Sequence, residues 1–192
     1  KADDTVEFKE TKAPIRPKVL EAEVVRFQND YDKWVAVVGL LDKKPYEIFT
    51  GKADEFYLPP YVSKGWVIKN KPEKGEPSRY DFQFEDKAGY KIIIPALSRS
   101  FNKEFWNYAK LISGILRHGM PLPYAINLVE NLTLDNESIN TWKNGVVRAL
   151  KKFIPDGTVD QKSSCPECHT EGSLMYKEGC LVCKECGYSK CG

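Results

Sequence analysis

The chain has 192 residues, 29 of them Lys or Arg against 27 Asp or Glu, for a formal charge of +2, with 42% hydrophobic and 12% aromatic residues. So even a balance leaves no electrostatic footprint for nucleic acid or an anionic membrane, and no apolar run approaches the roughly 20 residues of a bilayer span. The length suits one medium domain with a satellite module, or two small domains, of ordinary soluble composition.

Residues 1–17 are polar and contain Pro14 and Pro17, so they are expected as a linker, and the chain as a fragment of something longer. Residues 19–41 form two β-rich runs around the turn cluster Asn29-Asp30-Tyr31-Asp32, the pattern of a hairpin. Asp42-Lys43-Lys44-Pro45 is a second turn, before a short strand at 46–50 and another at 65–69. Residues 71–78 are a loop; Tyr80-Asp81-Phe82-Gln83-Phe84 alternates with period two, and 86–89 turn into a strand at 90–94. An antiparallel meander of about six strands follows, over about 19–94.

After Pro95 the period changes to that of helix, over about 102–154. Asn102 is placed to cap a helix carrying Phe105, Tyr108, Ile112 and Ile115, ended by Gly119 with Arg117 and His118 in its last turn. Pro121 and Pro123 open a second helix through Tyr124, Leu128 and Val129. Ser138 caps a third, which turns Trp142, Val146, Leu150 and Phe153 inward and stops at Pro155-Asp156-Gly157. The fold class is therefore α+β, with a body over 18–157 of strands first and about three helices second. These apolar stripes are read as core rather than ligand site.

Residues 158–164 are a short polar linker, and all six cysteines follow, between Cys165 and Cys191. That segregation marks a separate module over 165–192 with its own chemistry. With no signal segment at the start, C-x-x-C pairs favour a reducing cytoplasm. Zinc takes four soft ligands in a tetrahedron, and two C-x-x-C knuckles around a short hairpin make a zinc ribbon. Cys165 and Cys168 form the first knuckle, with Pro166 setting the turn. For the second, Cys180 with Cys183 and Cys183 with Cys186 both have the spacing. Gly187, which allows a tight turn whose N–H groups approach the sulfurs, favours Cys183 with Cys186. His169 is an alternative donor, less suited than a fourth sulfur.

Cys180 and Cys191 then remain. If the chain doubles back at the second knuckle, Cys180 lies near Lys190 or Cys191, and Cα atoms within about 7 Å can be bridged. Cys191, beside Lys190 at an exposed end, suits thiol exchange better than structure. The alternative pairs Cys186 with Cys191 and puts Cys180 and Cys183 on zinc.

The tail Glu178-Gly179-Cys180-Leu181-Val182-Cys183-Lys184-Glu185-Cys186-Gly187-Tyr188-Ser189-Lys190-Cys191-Gly192 resembles the C-terminus of adenosylcobalamin-dependent (class II) ribonucleotide reductases. Lys44-Pro45-Tyr46-Glu47-Ile48-Phe49 resembles a strand of the accessory domain before that tail, and His118-Gly119-Met120-Pro121-Leu122-Pro123 and residues 142–153 resemble its helices. The family's Thr-Ser-Cys-Pro-Asp stretch is matched only loosely by Ser163-Ser164-Cys165-Pro166-Glu167. The resemblance implies Cys191 and Cys180 (or Cys186) as shuttle thiols that re-reduce an active-site disulfide, and Cys165, Cys168, Cys183 and Cys186 as zinc ligands. It also implies that this is the C-terminal part of a vitamin B12-dependent ribonucleoside-diphosphate reductase. The barrel with the radical cysteine and the adenosylcobalamin site is absent from these 192 residues, so they are expected to be inactive alone. The implied partners are a catalytic barrel, of the same or a neighbouring chain, and a thiol reductant. A homo-oligomer is open; membrane and nucleic acid are not expected. Two other readings are a nucleic-acid-binding zinc ribbon and a purely structural one. Lys177, Lys184 and Lys190 against Glu167, Glu171, Glu178 and Glu185 give the ribbon a slightly acidic charge, which argues against the first.

Overall fold

The computed structural model describes residues 9–28, 31–133 and 137–191. Strand β1 (Val19–Gln28) pairs antiparallel with β2 (Lys33–Leu41), from Glu21 opposite Leu40 to Gln28 opposite Lys33. Of the turn cluster between them, Asn29 and Asp30 lie outside the described residues. Asp42 and Lys43, at φ 50° and 64°, join β2 to β3 (Lys44–Lys52). Two successive left-handed residues match the twist of the flanking strands, so this is a tight two-residue hairpin and the strand starts at Lys44. Strands β4 (Lys64–Asn70), β5 (Arg79–Glu85) and β6 (Lys91–Ile94) complete the sheet.

The α+β class holds, with a finer topology. The strand order is β3-β2-β1-β4-β5-β6, so two three-stranded meanders share an edge where β1 pairs with β4. Strand β2, inside the edge strand β3, is covered on both sides, which explains its nearly unbroken apolar run. Trp34, Ala36 and Val38 join the core under the helices, while Val35 and Val37 join a second core with Phe49, Val67 and Phe82. The sheet curls enough to bring Phe49 of β3 within 5.2 Å of Tyr80 of β5, ring centre to ring centre.

Among the described residues there are four helices, the extra one a single turn. A single turn, α1 (Leu97–Ser100), is entered through Ala96 at φ 51° and buries Leu97 in the second core. In α2 (Lys103–Arg117) the Asn102 side chain accepts from Glu104 N–H as expected of the cap, and the buried stripe is Phe105, Ala109, Ile112 and Leu116. Ser113 Oγ accepts from Ile48 N–H of β3 at 3.0 Å, tying α2 to the sheet's edge strand. Helix α3 (Leu122–Glu130) buries Ala125, Ile126 and Val129; Tyr124 and Leu128, expected inward, are 60% and 47% exposed. Its two flanking helices select a narrower face than the apolar residues alone suggest. Helix α4 (Glu137–Lys151) begins before Ser138, which sits in its first turn. Trp142, Val146 and Leu150 are buried as expected, Phe153 is half-buried against the same core, and Ile154 is buried beside it. Trp142 Nε1 donates to Thr50 Oγ1 at 2.8 Å.

Residues 9–17 run along the body. Arg16 reaches the buried Glu47, donating from Nη2 to Oε1 at 2.6 Å and from Nε to Oε2 at 2.9 Å. Its remaining donors go to the carbonyls of Pro17, Lys18 and Val67. The second sheet has the order β7-β8-β9, with β7 (Leu174–Lys177), β8 (Cys180–Cys183) and β9 (Ser189–Lys190). Residues 158–160 lie on the free edge of β7: Tyr176 N–H donates to Thr158 O and Asp160 N–H to Leu174 O. Glu178 N–H donates to Asp156 Oδ1 at 2.7 Å, and Tyr176 packs on the helix-side core. The small sheet is thus seated on the end of α4.

Candidate functional site

The first knuckle closes where His169 N–H donates to Cys165 O at 2.8 Å and Cys165 N–H to Thr170 O. His169 takes φ 56° there and lies outside the sulfur cluster. The second closes where Gly187 N–H donates to Cys183 O, with Gly187 at φ 78°, a conformation that costs glycine nothing. The sulfurs of Cys165, Cys168, Cys183 and Cys186 all lie within 4.8 Å of one another. Cys165 and Cys186 are 3.6 Å apart, Cys168 and Cys183 3.7 Å. A tetrahedron of sulfurs about 2.3 Å from zinc has edges of about 3.8 Å, so the donor set fits that ion.

Two hydroxyls that the cysteine spacing does not point to complete the site. Ser173, fully buried, has its Oγ 3.3 Å from Cys183 Sγ. That hydroxyl and the N–H groups of Cys186 and Glu185 outweigh the opposing effect of burial and bring Cys183 down to about 6. Thr170, through its hydroxyl and its N–H, holds Cys168 below the ordinary thiol range. At Cys186 the Tyr188 N–H pulls down, but burial and the three neighbouring thiols dominate and push it up to about 12. Four thiols in one small volume therefore compete for negative charge. A bound dication removes that competition, since each sulfur then binds as thiolate. The only sequence trace of these hydroxyls is a Thr and a Ser between the first knuckle and β7.

Cys180 and Cys191 form a disulfide, with Cα atoms 4.3 Å apart. Strand register explains it. Val182 faces Ser189 and Leu181 faces Lys190, so Cys180 and Cys191 meet at the next position. Cys186, the alternative partner, faces the four-sulfur cluster instead. Cys191 is exposed and Cys180 half-buried. The structure thus separates the six sulfurs into a closed group of four and a surface pair.

Among the described residues, no helix is long and apolar enough to cross a membrane. A family profile described as NrdJ homologue C-terminal domain matches residues 20–155, which span the α+β body. No curated protein and no solved structure matches the chain.

Proposed function

The chain belongs to the NrdJ homologue C-terminal domain family, the C-terminal region of class II ribonucleotide reductase-related proteins, and from that premise we propose that its tail delivers electrons to a reductase active site. The observation that carries this reading is the Cys180–Cys191 pair, bridged at the surface and apart from the four-sulfur cluster.

Thiol–disulfide exchange supplies the chemistry. With the tail reduced, the Cys191 thiolate attacks one sulfur of the active-site disulfide left by ribonucleotide reduction. That S–S bond breaks, its other sulfur leaves as thiolate and takes a proton, and a mixed disulfide forms. Cys180 then attacks Cys191 Sγ, the second active-site thiol leaves, and the Cys180–Cys191 bridge closes. Two electrons have passed from tail to active site. An external dithiol reductant, itself oxidised to a disulfide, reopens the bridge.

Cys165, Cys168, Cys183 and Cys186 would hold zinc, and its binding would supply folding energy rather than catalysis. Those four sulfurs anchor the hairpin whose outer strand, β9, leads directly into Cys191. The α+β body seats the ribbon through Asp156 and Tyr176 and serves as a platform for assembly with the catalytic barrel, of the same or a neighbouring chain. Adenosylcobalamin belongs with that barrel, and no step through it falls to these residues. On this reading the 192 residues do not reduce nucleotides alone, and the protein works in a reducing cytoplasm.

The test is Cys191→Ser in a reductase carrying this tail, assayed with a dithiol protein as reductant. Multiple turnover is lost, a single turnover per active site survives, and zinc stays at one per chain. Undiminished multiple turnover removes the electron-delivery reading and leaves a structural ribbon.

A further inference from the structure

A cavity of about 370 Å³, distinct from the cysteine module, opens between α2, the edge strand β3 and the start of β5. Its volume is in the range that takes a small molecule. Helix α2 contributes Trp106, Lys110, Ser113 and Arg117, a single stripe at helical spacing. The apolar wall is aromatic. Phe49 lies 5.3 Å from Trp106 and 5.2 Å from Tyr80, ring centre to ring centre, and Tyr80 and Trp106 are half-buried.

Charge in this cavity is lopsided. Its one carboxylate, Glu47, has both oxygens engaged by Arg16, whose donors are all taken up by Glu47 and three carbonyls. Lys110 and Arg117 form no ion pair among the described residues. Arg117 goes further. Its guanidinium lies 5.8 Å over the Tyr46 ring, and its Nε is cut off from solvent with no hydrogen-bond partner among the described residues. No described residue accepts from the rest of the guanidinium either, so an acceptor oxygen in the cavity has charged donors to meet there. Ser78 and Ser98 add hydroxyls to the lining.

We infer that this cavity binds a small anion carrying a planar heteroaromatic ring, a nucleoside phosphate being the class that fits. The ring lies against Trp106, where flat π-faces stack on one another regardless of base identity; the Tyr80 ring beside it is already covered by Arg16 and Lys69, at 5.5 and 5.8 Å. The phosphate oxygens accept from Arg117 and Lys110 in charge-assisted hydrogen bonds. Ring and cations together ask for both halves of the ligand, which separates this site from a simple anion pocket. The inference does not depend on the tail's redox role, since none of the six cysteines lines the cavity.

Isothermal titration of the zinc-loaded 192-residue chain with ADP, inorganic pyrophosphate and adenosine tests it. ADP binds, and pyrophosphate and adenosine each bind at least about tenfold more weakly. Lys110→Gln and Arg117→Gln each weaken ADP binding by about tenfold or more, the loss expected for one hydrogen bond to a charged group. Lys110 is exposed, so its substitution leaves the fold intact even if that of Arg117 does not. ADP binding that is absent at millimolar concentration, equalled by pyrophosphate, or indifferent to Lys110→Gln overturns the inference.

Discussion

Replacing Gly145 by alanine sets helix propensity against packing, and the geometry decides the sign. In an exposed helix interior Gly→Ala gains about 1 kcal/mol. Gly145, in α4, is buried, and a Cβ there would lie 2.0 Å from Phe27 Cδ2 and 2.1 Å from Cε2. Carbon atoms rest about 3.5–4.0 Å apart, so the ring has to retreat by about 1.5 Å. It has little room. Phe27 is 6% exposed and stacks on Trp34 at 6.3 Å, and Trp34 meets Phe105 edge-on at 4.6 Å. Overpacking of this kind costs about 1–3 kcal/mol, more than the propensity returns. The expected outcome is a net loss of about 1 kcal/mol, or about 2–4 °C in Tm. Gly114→Ala in α2 is the internal control, because a Cβ there meets nothing within 4 Å. It should stabilise by about 1 kcal/mol. Urea unfolding of both variants, zinc-loaded, gives the comparison. A Gly145→Ala protein as stable as Gly114→Ala refutes the packing argument.

Arg16→Gln strands the Glu47 carboxylate, itself 1% exposed, and should cost about 3–5 kcal/mol in urea unfolding; a change under about 1 kcal/mol would mean the pair is dispensable. Trp142→Phe keeps most of the ring but orphans Thr50 Oγ1, for a loss of about 1–3 kcal/mol. Zinc content should fall in Cys186→Ser and hold at one per chain in Cys180→Ser, measured by metal analysis of the purified chains; the reverse pattern would reassign the ligands. Zinc retention against a competing chelator should weaken as pH falls. Cys183, depressed to about 6, is thiolate above that value and regains its proton below it, while Cys186, raised to about 12, releases its proton to solvent only when the metal binds. A chelator titration with no dependence between about pH 5 and 8 contradicts thiolate ligation.

What local patterning could reveal, the sequence revealed. Period-two alternation marked Tyr80 to Phe84, three- and four-residue steps marked α2 and α4, and Asn102 announced its own cap. Two C-x-x-C knuckles and Gly187 pointed to Cys165, Cys168, Cys183 and Cys186 because a knuckle is closed by hydrogen bonds within five residues. Contacts between distant residues left no such trace. The pairing of β1 with β4, the 31-residue reach of Arg16 to Glu47 and the inward face of α3 depend on which surfaces the finished fold covers. The two sets of cysteine pairings that the spacing left open are separated by strand register, which sets Cys180 beside Cys191 and turns Cys186 toward the other three sulfurs. The aromatic and cationic lining of the α2 cavity likewise comes from segments far apart in the chain, brought together only because the sheet curls.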